Sequence, residues 1–221
     1  TTPKMTQAPI WEPEMRALLP EQIGAYATRL THPAPKVEDR LLHYITHIAD
    51  SIRSYGPMRL AAFGFGCTGS SYIVGAQHED ELTAAAEAER KVPVVTAAQS
   101  ITLVSPYPEA LAESGYAYWR SAGIEVLHTL RVDERLADTH NIYELTSEDA
   151  RQALERVVKE NVDCVVVSGT GMPTLGALRQ LGTTTGLPII SSNLCLAWAL
   201  LSRAAPELAP PLPTGLIGTK P

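Results

Sequence analysis

The sequence has little of what defines several large protein classes. Its 221 residues contain three cysteines, Cys67, Cys164 and Cys195, without the repeated close spacings of a disulfide framework or a zinc site. No apolar run reaches the roughly 18 residues that a membrane-spanning helix needs. Residues 1–9 lack the apolar core of a secretory signal. These absences predict a cytoplasmic protein with reduced thiols and no membrane partner.

The charge balance argues against a nucleic-acid partner. The formal net charge is −6, and the chain lacks the basic stripe that nucleic-acid-binding surfaces usually show. Apolar residues make up 45% of the chain, which excludes a disordered chain. The 17 Pro and 15 Gly follow no period, so collagen-like and low-complexity structures are also excluded.

Motifs of cofactor-dependent and metal enzymes are missing as well. There is no GxSxG and no P-loop lysine motif. The stretch GFGCTG resembles GxGxxG but lacks the following acidic residue that contacts a ribose. His43 and His47 are four residues apart on a predicted helix, but the Glu of a zincin motif is absent, so we assign them to a solvated helix face. The sequence predicts no cofactor and no metal.

Apolar patterning predicts helices and strands in alternation, which implies an α/β fold with parallel sheets. One predicted helix, 146–161, has Ser147 as its N-cap. The predicted strands are 24–30, 60–65, 92–96, 124–130, 163–168 and 187–191. The predicted helices are 12–19, 37–55, 79–90, 109–122, 146–161, 175–181 and 194–204.

A faint internal repeat divides the chain into two similar halves. Residues 60–71 and 164–174 each form an apolar strand, then a Gly/Thr/Ser turn, then a helix. We therefore predict a first half made of residues 1–96 and 194–221, and a second half made of residues 97–193. Two such halves place the two turns, GCTGSS and SGTGMPT, face to face across a cleft.

The two turns have the composition of an anion-binding site. Ligands of parallel α/β sheets bind beyond the carboxyl ends of the strands. Glycine lets backbone N–H groups approach a ligand closely, and helix N-termini favour negative charge. These features predict a small anion with one or two carboxylates. The alternative is that both turns only cap helices. The hydroxyl donors are Thr68, Ser70, Ser71, Thr170 and Thr174.

Cys67 is the strongest candidate for a catalytic residue. A thiol at a strand end and a helix start is expected to have a lowered pKa, so it could act as a nucleophile or as a general acid or base. The alternative is an inert buried cysteine. Cys164 and Cys195 lie in apolar stretches, and we interpret both as core residues.

The chain resembles the aspartate/glutamate racemase superfamily, in the branch that holds maleate cis–trans isomerases and arylmalonate decarboxylases. The resemblance implies two similar doubly wound parallel-sheet halves with the active site in the cleft between them. It also implies a small dicarboxylate substrate and no cofactor, and it leaves a homo-oligomer open. The matching segments, in the family's order, are EPEMRALLP, FGCTGSSYIVG, VPVVTAAQSI, LVSPYPEALAES, ADTHNIYELTSED, VVVSGTGMPTL and TGLPIISSNLCLAWALL.

The same resemblance assigns roles to residues. Members typically carry one cysteine in each half, and Cys67 matches the catalytic cysteine of the first half. Tyr107 matches a tyrosine that hydrogen-bonds a substrate carboxylate, and Asn141 matches a loop asparagine that contacts substrate. The implied substrate-binding residues are Thr68, Gly69, Tyr107, Asn141, Gly169, Thr170 and Gly171.

Three departures from the family pattern matter. Gly169 stands where members have the second cysteine, which argues against racemisation by two bases. The apolar strand that normally precedes EPEM is missing from residues 1–9. A helix that normally precedes LVSPY is missing near positions 101–103. We therefore expect the natural chain to have further residues before Thr1 and near 101–103.

Two classes of function follow. The first is a cysteine enzyme that acts at the α-carbon of a small dicarboxylate. Within it, a lone thiol slightly favours decarboxylation of a substituted malonate with stereospecific protonation. Maleate isomerisation, or a related isomerase or racemase reaction, with Cys67 as nucleophile or acid/base is the alternative. The second class is a non-catalytic carboxylate-binding protein.

Overall fold

The computed structural model describes residues 11–91, 94–96, 102–158, 164–182, 184–185, 187–211 and 213–216. Its α-helices are α1 (Trp11–Leu18), α2 (Val37–Thr46), α3 (Ile48–Arg53), α4 (Thr68–Val74), α5 (Ala76–Arg90), α6 (Glu109–Ser121), α7 (Ser147–Val157), α8 (Leu175–Gly182) and α9 (Ser192–Ala204). Its β-strands are β1 (Phe63–Phe65), β2 (Val94–Thr96), β3 (Thr102–Ser105), β4 (Thr129–Arg131), β5 (Val165–Val167) and β6 (Ile189–Ser191). Short 3₁₀ helices cover Thr139–Glu144, Pro206–Leu208 and Pro213–Leu216.

All strand pairs in the described residues are parallel, which confirms the predicted α/β fold class. One sheet has the order β1-β2, and the other has the order β4-β3-β5-β6. The three valines of β5 are all buried, as expected for an inner strand with helices on both faces of its sheet. Parallel pairing brings the carboxyl ends of β3 and β5 to one edge.

The two sheets lie on either side of the predicted boundary at residue 96, and the exact division into halves stays a prediction. The helices from the two ends of the chain, α1 and α9, contact each other, and α9 also contacts β1, β2 and β6. This helix therefore joins the two sheets. Residues 1–10 and 97–101 lie outside the described residues, so the missing segments expected before Thr1 and near 101–103 stay predictions.

Two buried apolar clusters form the core. The larger one surrounds the four-stranded sheet, and the smaller one surrounds β1 with Ile45, Ile52 and Phe65 as members. Cys67 and Tyr44 are partly buried and pack against both clusters. The candidate catalytic thiol therefore lies where the two cores meet.

Three predicted elements are wrong in type or extent. Residues 24–30 are not a strand: they line a cavity and pair with no strand edge among the described residues. The helix predicted over 37–55 breaks at His47, whose φ of −111° and ψ of 26° leave the helical region. The strand predicted over 124–130 is formed only at Thr129–Arg131.

The N-cap of α7 is also one residue earlier than predicted. Thr146, not Ser147, is the N-cap: its Oγ1 accepts from the Asp149 N–H at 3.2 Å, and the Asp149 carboxylate accepts from the Thr146 N–H at 2.7 Å. This is a reciprocal capping box. Both Thr146 and Ser147 have a side chain that can cap a helix. Asp149 lies three positions after Thr146, as a capping box requires, and this spacing makes Thr146 the N-cap. Residues 159–161 of the predicted helix lie outside the described residues.

We expect Gly115→Ala to destabilise the fold. An added Cβ on α6 would lie 2.7 Å from Tyr72 Cε2 on α4, and the Tyr72 ring is fixed because its hydroxyl bonds Ser168 and Trp119. Overpacking of this kind costs about 1–3 kcal/mol. Urea unfolding measures it, with Gly182→Ala as the control because nothing lies within 4 Å of its Cβ position. Equal stability of the two variants would show that Tyr72 is not fixed.

Candidate active site

A cavity of about 780 Å³ opens beside Cys67. Its wall includes four of the predicted site residues from both sheets, namely Cys67, Tyr107, Thr170 and Gly171. Much of the remaining wall is apolar or aromatic and comes from α1, from residues 22–30 and from residues 58–66. The structure thus brings the two predicted turns to one concave surface, as the internal repeat predicts.

Cys67 lies two residues after the end of β1 and is the N-cap residue of α4. The Ser70 Oγ lies 3.2 Å from Cys67 Sγ and 2.8 Å from the Leu41 carbonyl oxygen. A serine hydroxyl has a single proton. Ser70 can therefore donate either to the Leu41 carbonyl or to the Cys67 sulfur, and the second arrangement favours the thiolate.

The pKa of Cys67 departs from the prediction. Burial raises the pKa of the thiol, and hydrogen bonds from Ser70 and from the Gly69 N–H act in the opposite direction without cancelling it. The prediction of a lowered pKa was wrong because desolvation of the thiolate outweighs the donors at the start of α4. Cys67 is therefore protonated at neutral pH and is equipped to donate a proton.

Tyr107 lies against the same turn. Burial raises the pKa of its phenol well above the ordinary value, as does the proximity of Cys67 and Tyr72, while hydrogen bonds with Thr68 and with the Gly69 N–H act in the other direction. The phenol is thus a neutral hydrogen-bond donor within reach of the turn. A substrate carboxylate is the kind of acceptor that it could bind.

Thr68 and Gly69 are placed less directly than Tyr107. The Thr68 side chain is fully buried and donates to Ser192 Oγ at 3.3 Å. The Cβ direction of Gly69 points at Leu41 and Leu111. Substrate binding by this turn stays a prediction. Because the Thr68 hydroxyl faces the protein interior, backbone N–H groups of the turn would have to bind the substrate.

The second turn contacts the first one directly. Thr170 Oγ1 donates to the carbonyl oxygen of Gly66, the residue before Cys67, at 2.7 Å. Gly169 has a φ of +88°, and an added Cβ would lie 2.5 Å from Pro106 Cγ. Two features therefore disfavour any side chain at position 169: the positive φ, which glycine adopts without strain, and the close contact that a Cβ would make with Pro106. The part of Gly169 in substrate binding stays a prediction.

Asn141 belongs to the 3₁₀ helix Thr139–Glu144, which borders the cavity. Its neighbours His140, Ile142 and Tyr143 line the wall, whereas Asn141 itself does not. Asp138 caps this helix by accepting from the His140 N–H at 2.8 Å, and Arg40 of α2 bonds the same carboxylate at 3.2 Å. The contact of Asn141 with substrate stays a prediction.

Two further tyrosines belong to the site and were missed from sequence. Partial burial raises the pKa of Tyr44, and the charge of a Cys67 thiolate would raise it further. Tyr143 is 53% exposed, and partial desolvation of its phenol and the charge of a Cys67 thiolate act on its pKa in the same direction. Both side chains therefore lie near the thiol, and both line the cavity. Tyr44 is indistinguishable in sequence from other residues of an amphipathic helix. Tyr143 lies two positions after Asn141, and its place beside this predicted substrate-binding residue was the one signal in the sequence that could have indicated it.

Positive charge is present on the cavity wall. Arg29, Arg40 and Arg59 line it, and they are suited to attracting an anionic ligand. Within the part of the chain that the structure describes, no group of three or more His, Cys, Asp or Glu could hold a metal ion. None of the described helices is long and apolar enough to cross a membrane.

Solved structures with the same fold cover nearly the whole chain. The maleate isomerase Iso from Pseudomonas putida S16 is 20% identical, with a TM-score of 0.79 over 97% of this chain and 95% of that one. A Nocardia farcinica maleate cis–trans isomerase mutant with a covalently bound succinylcysteine intermediate is 20% identical, with a TM-score of 0.73 over 88% and 87%. An arylmalonate decarboxylase is 16% identical, with a TM-score of 0.63 over 77% and 78%.

The family comparison identifies an enzyme of the lyase or isomerase type. A family model described as arylmalonate decarboxylase matches residues 13–213. The chain belongs to the arylmalonate decarboxylase family, which confirms the resemblance stated from its motifs. Among curated proteins, none matches this chain by sequence.

We expect alkylation of Cys67 by iodoacetamide to be slow at pH 7 and to rise through pH 9. The thiolate is the reactive form, and burial raises the pKa above the ordinary value of 9.0. Below its pKa, the rate should increase about tenfold per pH unit. Peptide mapping by mass spectrometry separates Cys67 from the other two cysteines. A rate that is already constant between pH 6 and 8 would contradict the raised pKa.

Proposed function

We propose that the protein is a cofactor-independent enzyme that decarboxylates a substituted malonate and protonates the product from Cys67. The observation that carries this proposal is the place of the Cys67 thiol on the wall of a largely apolar cavity, where burial raises its pKa. A proton donor must hold its proton at the working pH, and a raised pKa ensures that. Membership of the arylmalonate decarboxylase family supports the same reaction class.

The reaction balances with the groups in the cavity. The bond between the α-carbon and one carboxylate breaks, CO₂ leaves, and the electron pair passes into the remaining carboxylate as an enediolate. The Cys67 S–H then transfers its proton to the α-carbon, and the resulting thiolate recovers a proton from water. The Tyr107 phenol and the backbone N–H of Gly69 are neutral donors that can stabilise the enediolate.

The apolar wall favours the first of these steps. Trp11, Met15 and Leu19 of the α1 region line the cavity, and a carboxylate beside such a wall loses hydration. Its negative charge is more delocalised in the transition state than in the carboxylate, so desolvation lowers the barrier to CO₂ loss. The remaining carboxylate binds by hydrogen bonds at the turn.

A single thiol also predicts the stereochemistry. Gly169 has no side chain to offer a proton from the opposite direction, and its surroundings exclude one. Only one face of a planar enediolate then meets a thiol. The product is expected to be one enantiomer, and the enzyme is not expected to racemise it.

Maleate isomerisation is the second candidate, and the structural similarity to maleate isomerases over 97% of the chain favours it. In that reaction the Cys67 thiolate adds to one alkene carbon, the single bond rotates, and the thiolate leaves as the trans alkene forms. The thiol must first lose its proton to water, and water or the Thr170 hydroxyl serves as the second proton donor, whose proton the intermediate returns when the thiolate leaves. The raised pKa of Cys67 makes this step costly, so we rank decarboxylation ahead.

We expect Cys67→Ala to reduce turnover at least about 100-fold, because loss of a general acid usually costs that much. Cys195→Ala is the matched control: this cysteine is partly buried with a pKa raised to about 12 by burial, and its loss should leave turnover within twofold. The assay follows CO₂ release from phenylmalonate and, separately, conversion of maleate to fumarate.

The outcomes separate the candidates. CO₂ release that depends on Cys67 supports decarboxylation, and fumarate formation without CO₂ release supports isomerisation instead. Turnover of neither substrate, together with protection of Cys67 from alkylation by a dicarboxylate, supports a non-catalytic carboxylate-binding protein.

A further inference from the structure

A buried carboxylate in α1 connects three separate parts of the fold. Glu14 is only 6% exposed. Its Oε1 accepts from the Thr174 N–H at 2.9 Å, from Thr174 Oγ1 at 2.8 Å and from the Leu175 N–H. Its Oε2 accepts from Asn193 Nδ2 at 2.6 Å. Glu14 therefore joins α1 to the start of α8 and to the first turn of α9.

The hydrogen bonds continue from Glu14 to the catalytic turn. Asn193 Nδ2 also donates to the Thr170 carbonyl oxygen at 3.2 Å, and Thr170 Oγ1 donates to the Gly66 carbonyl oxygen at 2.7 Å. Gly66 is bonded covalently to Cys67. Three successive hydrogen bonds thus connect the Glu14 carboxylate, through Asn193 and Thr170, to Gly66.

The negative charge of Glu14 determines the orientation of Asn193. A carboxylate only accepts hydrogen bonds, so it requires the NH₂ side of the Asn193 amide to face it. The second N–H of that NH₂ group then reaches Thr170. Asn193 Oδ1 has no hydrogen-bond partner among the described residues, so the carboxylate and Thr170 alone orient the amide.

Neutralising this carboxylate would remove that preference. Burial raises the pKa of Glu14, whereas the hydrogen bonds from Asn193, Thr174 and Leu175 all favour the charged form. In Glu14→Gln, the new NH₂ group can face Asn193 only if the Asn193 amide turns its oxygen toward it. That rotation withdraws the donor from the Thr170 carbonyl.

We propose that Glu14 is a positioning residue, which holds Thr170 against Gly66 through Asn193 and so fixes the distance across the cavity at Cys67. This inference rests on the proposed function of Cys67. It explains why a charged residue lies in the core of this fold: its hydrogen bonds align the two turns that form the site. Glu14 itself does not need to touch the substrate.

Glu79 provides a matched control. It is also a buried carboxylate, 2% exposed, and it accepts from Ser71 Oγ at 2.7 Å and from Tyr118 Oη at 2.8 Å. It is not part of the cavity wall. Glu14→Gln and Glu79→Gln therefore remove comparable buried charges, and only the first should alter the site.

The experiment measures kcat, KM and the alkylation rate of Cys67 for both variants. We expect Glu14→Gln to lower kcat on the order of 10- to 100-fold with little change in KM, since misplacement of reacting groups by about 1 Å costs this much. We also expect a changed Cys67 alkylation rate. Glu79→Gln should keep all three within about threefold, whatever its effect on stability.

Asn193→Ala tests the same path without altering Glu14, and it decides the matter if Glu14→Gln does not fold. It should reproduce the loss in kcat, and the double variant should lose no more than either single one. If folded Glu14→Gln and Asn193→Ala match Glu79→Gln in kcat and in Cys67 reactivity, the proposal is overturned. If the wild type converts no substrate, the proposed function fails, and the Cys67 alkylation rates alone decide whether Glu14 positions the site.

Discussion

The hydrogen bond from Thr170 to the Gly66 carbonyl oxygen is the contact on which the site depends. It joins the turn after β5 to the end of β1 at 2.7 Å, and these strands belong to different sheets. Together with the hydrogen bond between Tyr72 and Ser168 and the packing of α9 against both sheets, it sets the separation of the two cavity walls. The buried Glu14 and Asn193 hold the Thr170 end, and the packing of Cys67 against both cores holds the other.

The thiol and two phenols near it share one property: burial raises the pKa of Cys67, Tyr107 and Tyr44 above the ordinary values. These groups can therefore supply protons and hydrogen bonds to an anion. Under the proposed function, the arginines on the wall would attract the substrate, and the apolar remainder would favour loss of one carboxylate.

Local sequence patterns predicted most of the architecture. Apolar runs located β1, β5 and β6, and the repeated Gly/Thr/Ser turn predicted that Cys67 and Thr170 would meet. Periodicity failed at residues 24–30, because alternation does not reveal whether a strand edge is available for pairing. The family motifs added Tyr107, which lies on the cavity wall, and Asn141, which only borders it.

The rest depended on contacts between residues distant in sequence. The sign of the Cys67 pKa shift was predicted wrongly because the position at a helix start is visible in sequence, whereas burial by two cores is not. Glu14 reads as an ordinary first-turn acidic residue, since its partners Thr174 and Asn193 lie about 160 and 180 positions away. The close packing that excludes a side chain at Gly169 could likewise not be predicted from sequence, because it depends on where the fold places Pro106.

The most direct test of this account is turnover of methylphenylmalonate, whose product 2-phenylpropionate has a stereogenic α-carbon, in D₂O, followed by NMR and by chiral separation of the product. Protonation from a single exchanged thiol predicts one deuterium at the α-carbon and one enantiomer, with no further exchange on long incubation. Both features should disappear with Cys67→Ala. A racemic product, or a purified enantiomer that exchanges its α-proton in the presence of the enzyme, would contradict protonation from one face by Cys67.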